Sequence, residues 1–232
     1  MNYITGDTHG RFHRIICKID ELGLTKKDTI IILGDAGLNY YGDFKDDERK
    51  EALKLTKVNI FCIHGNHEMR PESISSYELV DYRGGKAYVE KKYPNIYFAK
   101  DGEIYDFDGV KTLCIGGAYS VDKFYRLMNG WAWFEDEQPS EETKKIVEET
   151  LEKNNWTVDA ILTHTCPVSL EPTEWFLPMI DQSTVDKSTE QWLETIKNKL
   201  NYKYWFAGHF HGVKKTDEIE FMYENFHAFP EE

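Results

Sequence analysis

At 232 residues the chain is sized for one large domain or two small ones, and 41% hydrophobic with 30% charged residues is the balance of a soluble globular protein. The formal charge of -13 argues against a broad basic grip on duplex nucleic acid, although a metal centre still creates a local positive field inside an acidic protein. No apolar run approaches the roughly 18 residues of a membrane span, and no secretory leader precedes the first motif.

The chain therefore reads as cytoplasmic. Cys17, Cys62, Cys114 and Cys166 occur singly, without zinc-finger or redox spacing, and are expected as buried free thiols.

Taken in order, apolar strands each stop at a short polar cluster. Tyr3 to Thr5 is a strand that ends at Gly6-Asp7-Thr8-His9-Gly10. Phe12, Ile15, Ile16, Ile19 and Leu22 follow at helical spacing, closed by Gly23. Thr29 to Leu33 is a buried strand ending at Gly34-Asp35, and residues 46–56 are helical. Val58 to Ile63 ends at His64-Gly65-Asn66-His67-Glu68. This repeat of strand, helix and strand implies parallel pairing in a sheet covered by helices.

The middle changes character. Ala87–Val89 and Ile96–Phe98 read as strands, and Ile104–Phe107 and Lys111–Ile115 flank Asp108-Gly109, a two-residue hairpin signal; this stretch is expected to be antiparallel. Residues 118–139 form an aromatic-rich insertion without a clear period. Ser140-Glu141-Glu142 starts a helix that runs to about Asn154. Val158 to Thr163 is a strand ending at His164, a polar loop covers 165–188, and a helix follows over about 189–200. Tyr204 to Ala207 ends at Gly208-His209-Phe210-His211-Gly212, and Glu218–Tyr223 and Asn225–Phe229 close the chain. No repeat or linker divides it, so one domain over 1–232 is expected.

Five strands thus end in Asp, His or Asn. In open α/β sheets, ligands bind outside the carboxyl ends of strands, so these clusters are placed to face one crevice. Imidazole with carboxylate or amide oxygen suits zinc, manganese and iron. Seven such groups are too many for one ion and enough for two that share a carboxylate. Two ions roughly 3.5–4 Å apart can activate water and clamp an in-line phosphoryl displacement.

Gly6-Asp7-Thr8-His9-Gly10, Gly34-Asp35, Gly65-Asn66-His67-Glu68, His164 and Gly208-His209-Phe210-His211 resemble, in order and approximate spacing, the motifs of the calcineurin-like metallophosphoesterase superfamily. Each alone is weak; together they span residues 6 to 212. The resemblance implies a four-layer α/β/β/α sandwich with two mixed β-sheets and the metal site at the strand ends. It implies that Asp7, His9 and His211 hold one divalent metal ion, that Asp35 bridges, and that Asn66, His164 and His209 complete the second. Manganese is the expected metal, with iron or zinc as alternatives. A hydroxide between the ions would attack phosphorus, with His67 protonating the leaving oxygen and the amide NH₂ of Asn66 free to touch the phosphate. A positioned acid of that kind contributes about 10²–10⁴-fold.

Blander readings compete at the edges. Asp7 and Asp35 could be turn caps, and His67 could be structural, with Glu68 starting a helix. His64 is read as a core residue, and His13 and His227 as structural. Phe124, Tyr125, Trp131 and Trp133 are expected to fill a core, the alternative being surfaces on which a ring stacks. Arg70, Arg83 and Arg126 could clamp phosphate but are expected as surface ion pairs. Asp43 to Glu48 and the Glu231-Glu232 tail read as solvated acidic surface.

Protein Ser/Thr phosphatases of the superfamily follow Gly-Asp with Asp-Arg-Gly; here Gly34-Asp35-Ala36-Gly37-Leu38-Asn39 lacks both the Asp that orients the catalytic His and the Arg that holds phosphate. The expected order is therefore a phosphodiesterase acting on a nucleotide or other small phosphoester, then a phosphomonoesterase, then a protein phosphatase. A non-catalytic binding scaffold of the same fold is the rival from another class.

Overall fold

The computed structural model describes residues 1–230, so the acidic pair Glu231-Glu232 lies outside the described residues. In chain order the elements are β1 (Asn2–Thr5), α1 (His13–Leu22), β2 (Thr29–Ile32), α2 (Phe44–Thr56), β3 (Asn59–Cys62), β4 (Tyr77–Tyr82), β5 (Gly85–Glu90), β6 (Ile96–Ala99), β7 (Ile104–Phe107) and β8 (Val110–Ile115). They continue with α3 (Lys123–Met128), α4 (Glu141–Lys153), β9 (Ala160–Thr163), α5 (Ser188–Lys197), β10 (Tyr204–Ala207), β11 (Lys214–Lys215), β12 (Glu220–Phe221) and β13 (His227–Phe229). No helix among the described residues is long and apolar enough to cross a membrane.

The strands form two mixed sheets. One has seven strands in the order β13-β1-β2-β3-β6-β5-β4, the other six in the order β11-β12-β10-β9-β8-β7. Alternation along each strand explains how the layers stack. Ile31 points with Ile4, Phe61, Phe107, Leu162 and Phe206 into the space between the sheets. Its neighbours Ile30 and Ile32 point the other way, against Ile15, Ile19 and Leu53 of α1 and α2. On the far side, Val147, Leu151, Leu193 and Ile196 of α4 and α5 cover Ile161 and Trp205. The result is the four-layer α/β/β/α sandwich. Each fully buried Ile or Leu contributes about 1.5–3 kcal/mol by leaving water, so truncating Ile31 to Ala costs about 2–5 kcal/mol.

Local chemistry sets the boundaries. α1 stops where Gly23 takes φ 60°, and α4 starts where the Ser140 side chain accepts the Thr143 N–H. β7 and β8 close at Asp108-Gly109, with Phe107 opposite Val110 and positive φ at both turn residues.

Four features depart from the sequence expectation. β4 is an additional edge strand, turned back on β5 through Arg83-Gly84; its side chains are at most half-buried, so it lacks a clean apolar alternation. The middle is not antiparallel throughout, because β6 pairs in parallel with β3. α2 begins at Phe44, and Asp46 is buried rather than solvated, accepting the Tyr41 and Gly42 N–H groups. Of the four free cysteines three are buried, and Cys17 is exposed on α1.

Candidate metal centre

β1, β2 and β3 run parallel, side by side, as do β9 and β10 in the second sheet, so the loops after all five leave from the same end. Asp7, His9, Asp35 and Asn66 come from the seven-stranded sheet and His164, His209 and His211 from the six-stranded one. They meet in two groups. In the first, the Asp7 carboxylate Oδ2 lies 3.3 Å from His211 Nε2 and 3.9 Å from His9 Nε2, and the two imidazole nitrogens are 2.9 Å apart. In the second, Asn66 Oδ1 faces His164 Nε2 at 2.8 Å and His209 Nδ1 at 3.1 Å. Asp35 stands between, with Oδ2 3.8 Å from His9 Nδ1 and Oδ1 3.7 Å from His164 Nε2.

This donor set fits a pair of divalent cations. Asp7 Oδ1 accepts the His209 N–H at 2.9 Å, whereas Oδ2 is buried without a hydrogen-bond partner. A buried carboxylate oxygen without a donor is costly, and a cation among the imidazoles would supply what is missing. Burial opposes the charge on Asp7 and Asp35, yet the surrounding histidines outweigh it and hold both pKa values below the ordinary carboxylate range. Burial also pushes His209 down to about 3, so at neutral pH it presents the neutral imidazole that binds metals.

The backbone is held away from its preferred conformations here. His9, Asp35, His209 and His211 all have positive φ, between 47° and 66°. Non-glycine residues in this region are uncommon and cost of order 1 kcal/mol or more each, and such residues cluster at functional sites. Two glycines make the close approaches possible. A Cβ on Gly34 would collide with the His164 ring, and one on Gly65 with the backbone and carboxylate of Asp35. Those collisions are the physical reason for glycine beside Asp35 and Asn66.

Further residues brace the loops. Glu68 does not start a helix; it is fully buried and accepts N–H groups from Gly65, Ala36 and Gly37, tying the β2 and β3 loops together. Burial raises its pKa to about 8. The Arg14 guanidinium on α1 donates to the carbonyls of Gly6, Asp7 and Tyr223 and to Thr5 Oγ1. Asn66 Nδ2 is engaged rather than free, donating to Ser120 Oγ at 2.8 Å.

His67 sits on the rim, half-buried between Asp35, Asp122 and Arg126. Its Nε2 is 3.4 Å from Asp122 Oδ1, and its Nδ1 lies 2.9 Å from Arg126 Nη2 and 3.4 Å from Asp35 Oδ2. Arg126 Nε donates to Asp122 at 2.8 Å, so the carboxylate and guanidinium grip the imidazole as a unit. Burial and the Arg126 charge work against a charged His67, but Asp35 and Asp122 outweigh them and raise the pKa. His67 and Arg126 draw Asp122 down to about 2 against the effect of burial. Arg126 is thus buried beside His67 and not a surface ion pair. Arg70 is buried too, with Asp101 at 2.8 Å and the Asp136 carbonyl as partners, while Arg83 is half-buried beside Asp108.

His64 packs against Gly116, and burial pushes its pKa well down. His227 pairs with Glu220 at 3.0 Å, and His13 is exposed beside Cys17. The aromatic residues of 118–139 are not a core: Phe124, Tyr125 and Trp131 are more than half exposed, and Trp133 is half-buried on Glu137. Two clefts flank the strand ends and share His67. One, of about 430 Å³, is lined by His9, Tyr40, Tyr41, Arg49, Arg126 and Trp131; the other, of about 480 Å³, runs under the 165–188 segment.

Paired sheets whose strand ends gather carboxylates, an amide and imidazoles define a class: the metal-dependent hydrolases of phosphate esters. The family profile of the calcineurin-like phosphoesterases matches residues 3–213, and the chain belongs to that family. It is therefore a metal-dependent phosphoesterase. Among solved structures it is similar in fold to the phosphopantetheinyl hydrolase of Mycobacterium tuberculosis, at 15% identity and a TM-score of 0.50 over 96% of this chain and 87% of that one. A protein of unknown function from Aquifex aeolicus aligns at 18% identity and a TM-score of 0.35 over 71% of this chain and 80% of that one. No curated protein matches the chain.

Proposed function

We propose that the chain is a phosphodiesterase acting on a nucleotide or other small phosphoester, with Asp7, His9 and His211 holding one divalent ion, Asn66, His164 and His209 the other, and Asp35 bridging them. Manganese is the ion we expect, with iron or zinc as alternatives of similar donor preference. Such ions supply the charge that activates water and neutralises the phosphoryl oxygens. His67 carries the proton for the leaving oxygen, and Asp122 and Arg126 fix the orientation of its ring. The Asn66 amide, steadied by Ser120, keeps its oxygen toward His164 and His209.

The observation that favours a diester is the pair of clefts meeting at His67, one for each group esterified to the phosphate. Arg49 and Arg126 in the more polar cleft favour the second reading, a monoesterase whose dianionic phosphate they would balance. Turnover of bis-p-nitrophenyl phosphate against p-nitrophenyl phosphate in the presence of manganese separates them. A preference for the diester is expected; a clear preference for the monoester overturns the diesterase reading, and no turnover of either overturns the enzyme.

A further inference from the structure

The cleft under the 165–188 segment opens on Asn66, His67 and His209 and is walled by Trp175, Phe176 and Phe210. Phe176 and Phe210 lie nearly parallel, 21° apart with centroids at 6.4 Å, so flat apolar faces dominate the wall. Among the described residues no Lys or Arg lines this cleft. Lys187, which lies against the Phe176 ring, is paired with Glu171 at 2.7 Å. Groups carrying further negative charge are therefore not favoured here.

One acid in the cleft has no structural occupation for half of its carboxylate. Glu190, on the first turn of α5, lines the cleft and is only 5% exposed. Its Oε1 accepts from Thr165 Oγ1 at 2.7 Å, while Oε2 is buried without a partner. A buried acceptor set among aromatic walls calls for a donor on a flat, uncharged ligand.

We propose that this cleft seats the nucleobase of a nucleoside phosphodiester, its ring against Phe176 and Phe210 and one base N–H donating to Glu190 Oε2. The proposal rests on the phosphodiesterase reading and adds the identity of one arm of the substrate. It makes Glu190 a specificity residue, remote from the reacting atoms. A base without an N–H at that edge would leave the carboxylate oxygen unpaired, and selectivity follows from that penalty.

The test uses thymidine 5′-(p-nitrophenyl phosphate), its N3-methyl analogue and bis-p-nitrophenyl phosphate, with manganese at about pH 8.5, where the Glu190 carboxylate is ionised and Oε2 is an acceptor, on the wild type and on Glu190→Gln. The wild type is expected to prefer the N–H ester to the N-methyl ester by about 10- to 100-fold in kcat/KM, carried mainly by KM. Glu190→Gln turns the free acceptor into a donor, so that preference is expected to collapse towards unity. Retained preference in the variant assigns the discrimination to shape and overturns the role of Glu190. The wild-type comparison stands whatever the variant's folding: hydrolysis of bis-p-nitrophenyl phosphate without discrimination between the two thymidine esters overturns the cleft assignment alone. No turnover of any of the three overturns the phosphodiesterase reading with it.

Discussion

The strand-end loops and the two segments that flank them, 118–139 and 165–188, border the same crevice but are built differently. The loops are short, fixed at one end by parallel strands, and cross-tied by Glu68, Arg14 and the Asp35 carbonyl, which accepts the N–H groups of Thr8 and His9. The flanking segments carry one short helix and several single turns, and leave Phe124, Tyr125, Trp131, Leu177 and Met179 exposed. Rigid loops suit groups whose positions must be held to fractions of an ångström; looser segments suit groups that choose among substrates. The metal-ligand candidates sit in the first region. Asp122, Arg126 and Glu190 sit in or beside the second.

Substitutions can break or sharpen that division. The largest effect is expected for Asp35→Asn, which removes the charge between the two ligand groups. Metal content should fall for both ions together and turnover with it; elemental analysis showing the loss of one ion only would deny Asp35 its bridging place. Next is His67→Ala, expected to cut kcat by about 10²–10⁴-fold while metal content stays unchanged. Unaltered kcat would take His67 out of the chemistry.

Asp122→Asn keeps the shape of the grip on His67 and removes its charge. A fall in kcat of about 10-fold is expected, with KM and metal content little changed. A change in KM alone would place Asp122 with the substrate-choosing groups instead.

The smallest effect concerns stability. Burial raises the Glu190 pKa from 4.5 to about 7, so the folded state keeps a proton that the unfolded chain releases. Its contribution is intact below about pH 4.5 and is lost as pH rises towards about 7. Glu190→Gln should therefore gain on the wild type across that window, by on the order of 1 kcal/mol. Parallel denaturation curves at both ends of the window would contradict it.

The same division decided what the sequence disclosed. Gly34-Asp35, Gly65-Asn66-His67 and Gly208-His209-Phe210-His211 are legible because each satisfies a local demand: a strand that stops, a turn, and a glycine where Cβ would strike a ring or a carboxylate. The buried strands and the Asp108-Gly109 hairpin were legible for similar reasons. Asp122 was not, since its partner His67 lies far back in the chain and no local pattern marks the pairing. Arg126 reads as a surface ion pair from sequence because Arg is rarely enclosed, and no local pattern marks its contact with His67. Glu68 and Glu190 look like ordinary helix-start acids until the tertiary fold encloses them. The four left-handed site residues give one usable hint, since all four lie next to a glycine.

The two ligand groups draw on both sheets. Asp7 and His9 leave the seven-stranded sheet while His211 leaves the six-stranded one; Asn66 belongs to the first and His164 and His209 to the second. Two ions held by those residues would act as rivets across the seam between the two sheets. Their binding energy adds to the resistance of the fold to unfolding in proportion to the logarithm of free metal over its dissociation constant. Metal supply would then bear on the lifetime of the protein as well as on its activity. A cell short of the ion would hold a chain whose halves part more readily, and whose between-sheet surface of Ile31, Phe61 and Phe206 is more often open to proteases and to other copies of itself.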